Sequence, residues 1–280
     1  YFLNIKNLHF CNEYDTYFRN IYININNKSL EGKIMYKNIL SIIVVGSFLL
    51  FNTSISANSE KIESDGTVGE FNYFTVTDPS SFMKALNDFD KSECAKNWRN
   101  ESGADVSLWA LRGSGNSHFI LVVYENWDQM QKGRAIFTSC KESAMMIKSF
   151  QRSTDTDRSW NWVSENVLSG RNWQSNTVFA KFNFKVQEGS ESEYVSAWKQ
   201  LMQSQINNIP GSFGLNVIPY GNRYTSHMVY FGADSMKDLS QSLAKVRSTS
   251  DFADFAKIAK DIRVNVNTEL VQFVKNFNGE

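Results

Sequence analysis

The stretch that begins at Ser117 reads SHFILVVYENWDQM, and the stretch that begins at Ser226 reads SHMVYFGADSMKDL. Laying His118 over His227 sets Val106 against Leu215, Leu108 against Val217, Glu125 against Asp234 and Ala135 against Ala244. The outer segments follow with small shifts. Phe71, Asn72 and Tyr73 fall over Phe182, Asn183 and Phe184, while Trp160, Asn161 and Trp162 fall over Val264, Asn265 and Val266. A chain that repeats itself in this way folds as two copies of one unit, because each copy carries the same pattern of faces to bury.

Within each copy the hydrophobic periods give one order of elements. Val178, Ala180, Phe182, Phe184 and Val186 alternate with Lys181, Asn183 and Lys185, which is the period of a strand with one buried face. Phe82, Ala85, Leu86 and Phe89, like Tyr194, Ala197, Trp198 and Leu201, recur at helical spacing. Strands over 106–111 and 118–124 flank a Gly-rich turn, as do strands over 215–220 and 227–233. Helical regions over 127–150 and 236–262 break near Thr138 and Ser248, and last strands follow over 160–168 and 264–271. The order is β-α-β-β-α-β twice, so the fold class is α+β with two tandem ferredoxin-like modules, over 70–168 and 176–278, joined by a linker over 169–175.

The residues ahead of the first module read differently. Residues 1–34, rich in Asn, Ile, Tyr and Lys, are taken as an untranslated leader or a disordered extension. Met35 then opens a secretory pattern over 35–57: Lys37 as the charge, an apolar run over 39–51, and Ile55, Ser56 and Ala57 before a cut, with a linker over 58–69. That run is shorter than the roughly 20 residues that span a bilayer, so a periplasmic or secreted protein with no stable membrane insertion after cleavage is expected. Basic and acidic residues balance at 29 each, which gives no basic patch for nucleic acid. Cys94 and Cys140 fall on separate helical regions and are read by default as two unrelated core thiols, with a disulfide as the alternative.

With VVYENWDQM over 122–130 and the doubled β-α-β-β-α-β order, the chain resembles the dimeric α+β barrel superfamily, which includes cofactor-free monooxygenases, haem-degrading monooxygenases and stress-responsive barrel proteins. The resemblance implies two modules packed sheet against sheet with helices outside, here as a dimer made covalent within one chain, which is a monomeric pseudo-dimer or dimerises further. It implies a pocket in each half. The haem-degrading branch relies on an Asn on the first strand with a Trp and a His on the second helical region. Asn72 and Asn183 match the Asn, but residues 140–150 and 250–262 hold no His, so no cofactor is expected.

The candidate site residues come from matched positions. His118 and His227 are the candidate proton-transfer groups, since imidazole titrates near neutrality; a strand-end structural role is the competing reading. Asn72 and Asn183 are expected to look into the space between the sheets, opposite Phe71 and Phe182. Glu165 and Glu269 are matched on the last strands, where burial would make either a general base. Trp109, Tyr124 and Tyr220 are candidates to line an apolar pocket. No phosphate loop, nucleophile elbow, paired His at metal spacing or CxxC occurs, so no metal site is expected. The function expected is binding of a small apolar or aromatic molecule in the inter-sheet barrel. A cofactor-independent monooxygenase or isomerase is the alternative, and a structural module with a filled barrel is the third.

Overall fold

The structure, a computed structural model, describes residues 62–221 and 224–279. The expected leader, the signal segment, most of the first linker's start and two hairpin residues, Asn222 and Arg223, lie outside the described residues. The first half runs β1 (Val68–Val76), α1 (Pro79–Asp90), α2 (Glu93–Ser102), β2 (Asp105–Arg112), β3 (His118–Tyr124), α3 (Trp127–Ser139), α4 (Lys141–Ser153) and β4 (Thr154–Gly170). The second half runs β5 (Val178–Val186), α5 (Glu191–Gln205), β6 (Phe213–Tyr220), β7 (His227–Ala233), α6 (Met236–Arg247), α7 (Ser250–Ile262) and β8 (Arg263–Asn276). Among the described residues no helix is long and apolar enough to cross a membrane.

Local chemistry sets the helix starts at matched places. Asp78 takes the Ser81 N–H ahead of Pro79, so α1 starts with an N-cap and a proline that lacks the otherwise orphaned donor. Asn126 caps α3 through the Gln129 N–H and Ser235 caps α6 through the Asp238 N–H, which explains why EN and DS occupy the same place in the repeat. The expected helix breaks are present: α3 gives way to α4 at Cys140, and α6 to α7 at Ser248 and Thr249.

The strands close into one antiparallel barrel in the order β1-β3-β2-β8-β5-β7-β6-β4. Each half supplies a ferredoxin-like sheet, and its last strand is long enough to leave that sheet and pair with the other. β4 pairs with β1 and then with β6, while β8 pairs with β5 and then with β2. The fold is thus the dimeric α+β barrel with both halves in one chain. Three cores follow from it. One lies between the first sheet and its helices and one between the second sheet and its helices. The third, built on Phe71, Tyr73, Trp109, Phe119, Trp162, Phe179 and Met228, fills the barrel.

The ladder registers correct several matches read from the sequence. Phe74 pairs with His118, and Phe184 pairs with His227, so Phe74 and Phe184 are equivalent. Asn72 therefore corresponds to Phe182 and Tyr73 to Asn183, one residue away from the sequence match, and a one-residue slip exchanges the faces of a strand. Trp109, which laying His118 over His227 sets against Ile218, corresponds instead to Asn216, since Ala110 pairs with His118 as Val217 pairs with His227. On the last strands Phe71 pairs with Trp162 as Lys181 pairs with Glu269, so the counterpart of Glu269 is Trp162 and not Glu165.

The two cysteines are also corrected: Cys94 on α2 and Cys140 at the α3–α4 elbow form a disulfide, with their Cα atoms 6.1 Å apart and a sequence separation of 46. Cross-linking a loop of that size removes entropy from the unfolded chain, by about 2–4 kcal/mol. Cys94→Ser is expected to lower unfolding free energy by that amount in urea. Dithiothreitol should lower the native protein equally and leave the variant unchanged.

Candidate functional site

Alternation along β1 divides the candidate residues. Glu70, Asn72 and Phe74 face the helices, whereas Phe71 and Tyr73 face the barrel. Under the helices lies a cavity of about 460 Å³ whose floor is Glu70, Asn72, Val106, Ile120, Val122 and Tyr124. Its cover comes from Leu86 and Phe89 of α1, Trp98 of α2, Phe137 of α3, and Met146 and Phe150 of α4, with Phe277 entering from the end of β8. The volume and the apolar lining suit a small organic molecule.

Polar groups interrupt that lining, Asp90, Arg99 and Gln151 among them, and three stand together on the floor: Asn72, Glu70 and Tyr124. The Asn72 amide is half-buried and makes no hydrogen bond among the described residues, which leaves its donors and its acceptor directed to the cavity. The Glu70 carboxylate lies 3.6 Å from Arg134 on α3. Burial raises its pKa above the ordinary carboxylate value, and Arg134 opposes the rise in part. The Tyr124 hydroxyl accepts the Trp98 indole N–H at 3.2 Å, so its own proton is free to donate. Gly133 brings α3 against these two rings: a Cβ there would sit 2.5 Å from the Tyr124 ring and 2.9 Å from Trp98 Nε1.

The second half does not repeat this cavity floor. Phe182 stands in place of Asn72, Phe231 in place of Val122, and Ala180 in place of Glu70. Phe182 and Phe231 meet edge to face, with centroids 6.2 Å apart. The Arg263 guanidinium packs over Phe184 at 4.0 Å and donates to the Tyr194 hydroxyl at 2.8 Å.

Inside the barrel a cavity of about 80 Å³ runs from Asp65, Thr67 and Trp173 down to Lys181, between Trp109, Phe119 and Phe179. Lys181 Nζ meets Glu269 at 2.5 Å, the Tyr73 hydroxyl at 2.6 Å and Asn183 Oδ1 at 3.2 Å. Asn183 in turn donates to Asn267 at 2.5 Å. The ammonium also lies 4.7 Å from the Trp162 ring centroid. Burial lowers the Lys181 pKa while Glu269 works against the fall.

The sequence-derived residues are therefore scattered. Asn72 and Tyr124 share the helix-side cavity; Asn72 does not look between the sheets as expected. Trp109, Asn183 and Glu269 belong to the barrel interior. Glu165 and Tyr220 belong to neither cavity: Glu165 accepts the Trp127 indole N–H at 3.1 Å on the outer surface, where exposed Tyr220 packs on the same indole. Sequence reasoning missed Glu70, Arg134, Lys181 and Tyr73. Lys181 alternates with apolar residues, and that pattern marks an exposed face only when the sheet has one.

The histidines sit at the tops of the two sheets on their helix-facing sides. In each case the preceding serine holds the first strand of the module. Ser117 Oγ accepts the Val76 N–H and Ser226 Oγ accepts the Val186 N–H, both at 2.9 Å. The same hydroxyls bond His118 Nδ1 and His227 Nδ1, each at 2.9 Å. This repeated clasp accounts for the SH pair in structural terms, and neither imidazole lines the helix-side cavity.

His227 Nε2 is buried without a partner, and burial pushes the His227 pKa down to about 4. The folded state resists a proton that the unfolded chain takes near pH 6.5, so stability is full above that value and falls as pH drops toward 4. The loss reaches up to about 3 kcal/mol. His227→Gln should flatten the pH dependence of urea midpoints between pH 6.5 and 4; a slope unchanged by the substitution would place its origin elsewhere.

No protein-family model matches the chain, and no curated protein matches it. Solved structures do. A candidate monooxygenase from Fusobacterium nucleatum is 13% identical, with a TM-score of 0.50 over 75% of this chain and 94% of its own. An anthrone oxidase-like protein is 11% identical, with a TM-score of 0.52 over 79% of this chain and 98% of its own. A haem-binding protein from Thermus thermophilus is 10% identical, with a TM-score of 0.49 over 77% of this chain and 94% of its own. For haem the residues present do not fit a histidine-ligated iron, because the helix-side cavity contains no imidazole. The likeness and the closed eight-strand topology agree on the architecture: this chain has the dimeric α+β barrel fold.

Proposed function

We propose that the chain takes a small, flat, mostly apolar molecule into the helix-side cavity of its first half, and that Glu70 removes a proton from it, as a cofactor-independent oxygenase or isomerase would. The observation that carries the reading is a half-buried carboxylate whose pKa is raised by desolvation, set beside an amide with no hydrogen bond among the described residues, in a mostly apolar cavity. Glu70 would act as base, while Asn72 and the Tyr124 hydroxyl would donate to the oxygen on which charge develops. The resulting enolate could return the proton to another carbon, which is isomerisation. Alternatively it could pass electrons to dioxygen, converting a CH₂ and O₂ into a C=O and water. The candidate monooxygenase and the anthrone oxidase-like protein share the fold, which is compatible with this chemistry.

Export remains part of the proposal. The pattern over 35–57 supports it, and a disulfide between Cys94 and Cys140 suits an oxidising compartment. The mature chain would then comprise the modules over 70–168 and 176–278. Because the barrel closes within one chain, it needs no second copy to complete it.

Anthrone is a suitable probe, being a tricyclic carbon acid. Asn72→Phe copies the residue of the second half into the cavity, and it should weaken anthrone binding at least about tenfold, a loss of about 1.4 kcal/mol, with folding intact. Glu70→Gln should keep binding and lose exchange of the CH₂ protons for deuterium, read by NMR. The rate of exchange should rise with pH through a pKa above the ordinary 4.5 of a glutamate, and Arg134→Met should move that rise to higher pH. Binding that survives Asn72→Phe would remove the cavity from the proposal; exchange that survives Glu70→Gln would remove the base.

A further inference from the structure

We infer that the barrel interior is a second site, separate from the helix-side cavity, in which Lys181 takes a small aldehyde or ketone as an imine. The fold does not require an ion pair at this place. In the first half the equivalent positions are Phe71 and Trp162, an edge-to-face aromatic pair with centroids 5.9 Å apart. The second half substitutes Lys181 and Glu269, which are 4% and 0% exposed. A buried pair of this kind is seldom more stable than an apolar pair of similar volume, so its presence calls for a reason other than stability.

The cavity supplies such a reason. Lys181 lies at its inner end, the exposed Asp65 stands at its mouth, and the wall between them is aromatic. At about 80 Å³ it holds roughly half a dozen heavy atoms, given the space one water needs. An apolar shaft that ends on an amine suits a short-chain carbonyl compound. Desolvation favours the neutral amine, and the free-amine fraction at neutral pH rises about tenfold for each unit by which a lysine pKa falls.

The partners of Lys181 can carry the proton transfers. Glu269 takes a proton from the ammonium, and the freed lone pair attacks the carbonyl carbon. The C–N bond forms as the carbonyl oxygen receives that proton, and Glu269 then takes a second proton from nitrogen. Returned to the hydroxyl, this proton lets oxygen leave as water. The net change is a carbonyl and an ammonium giving a protonated imine and one water, with Glu269 again a carboxylate opposite the cation. Tyr73 and Asn183 hold the nitrogen in place throughout.

The test is reductive trapping on the intact wild-type chain. Butanal with cyanoborohydride, limited to a few equivalents, is followed by peptide mass spectrometry. Lys181 should be alkylated ahead of exposed lysines such as Lys84 and Lys257, by about tenfold or more. Glu269→Gln should abolish that preference. Asn72→Phe, which fills the other cavity, should leave it unchanged, so failure of the helix-side reading and failure of this one are distinguishable. Labelling confined to surface lysines in wild-type protein would overturn the inference and leave the Lys181–Glu269 pair as a purely structural contact.

Discussion

Two long last strands hold the molecule together. β4 begins on its own sheet beside β1 and ends on the other beside β6, and β8 does the same from β5 to β2. Without that exchange there would be two open four-stranded sheets, each with exposed edges and one wet face. With it both faces of every sheet are covered, one by helices and the other by the opposite sheet. This is why Trp162, Tyr73 and Phe213 are almost wholly buried and why polar residues on the inner face must find partners in one another. Along one wall the Asn166 amide donates to Asn216, which in turn donates to Ser164, and near the centre Lys181 bonds Glu269, Tyr73 and Asn183.

Covalent tandem linkage frees the halves to diverge. In a dimer of identical chains every substitution occurs twice, so a lysine at the Phe71 position would face the same change across the axis. Here Phe71 and Trp162 remain in one half while Lys181 and Glu269 stand in the other, and the Lys181 nitrogen rests over the rings of both aromatic residues. The helix-facing side diverges in the opposite sense. The first half keeps Glu70, Asn72 and a cavity, and the second fills the corresponding positions with Ala180, Phe182 and Phe231. The outer cavity and the inner ion pair thus stand in different halves of the repeat.

The repeat, the alternation of strands with helical regions and the breaks near Thr138 and Ser248 were legible in the sequence, because hydrophobic period is a local signal; the sheet-on-sheet packing came from the family resemblance, and the division of the first helical region into α1 and α2 was not foreseen. Register was not legible. Phe71, Asn72, Tyr73 and Phe182, Asn183, Phe184 look alike as strings, yet the ladders place Asn72 with Phe182. Likeness of letters does not set register; the backbone ladder does. The buried Lys181 escaped for a related reason: lysine on alternate positions of a strand reads as solvent-facing, and only barrel closure, a long-range property, reverses that. Pairing of Cys94 with Cys140 likewise depends on where two helices meet. Of the proposed residues, Asn72 and Tyr124 line the helix-side cavity, Trp109 lines the barrel cavity, and Asn183 and Glu269 partner Lys181 behind it, so they do not form one site.

The helix-side cavity is not the property of the first half alone. Phe277, from the end of β8, is 4% exposed and lines that cavity, and its N–H donates to the Val106 carbonyl at 2.8 Å. Around it Lys275 reaches Asn87 on α1, and the Gly279 N–H joins Arg99 on the buried Asp90 carboxylate. The last residues of the second module are therefore fastened to β2 and α1 of the first by hydrogen bonds, one of them to a carboxylate that α2 holds through Arg99. A first module cut away from the second would lose this wall as well as the strand that seals β2, exposing the cavity's apolar lining to water. The same crossing that closes the barrel also finishes the cavity, so folding of the second half is a condition for the geometry of the first.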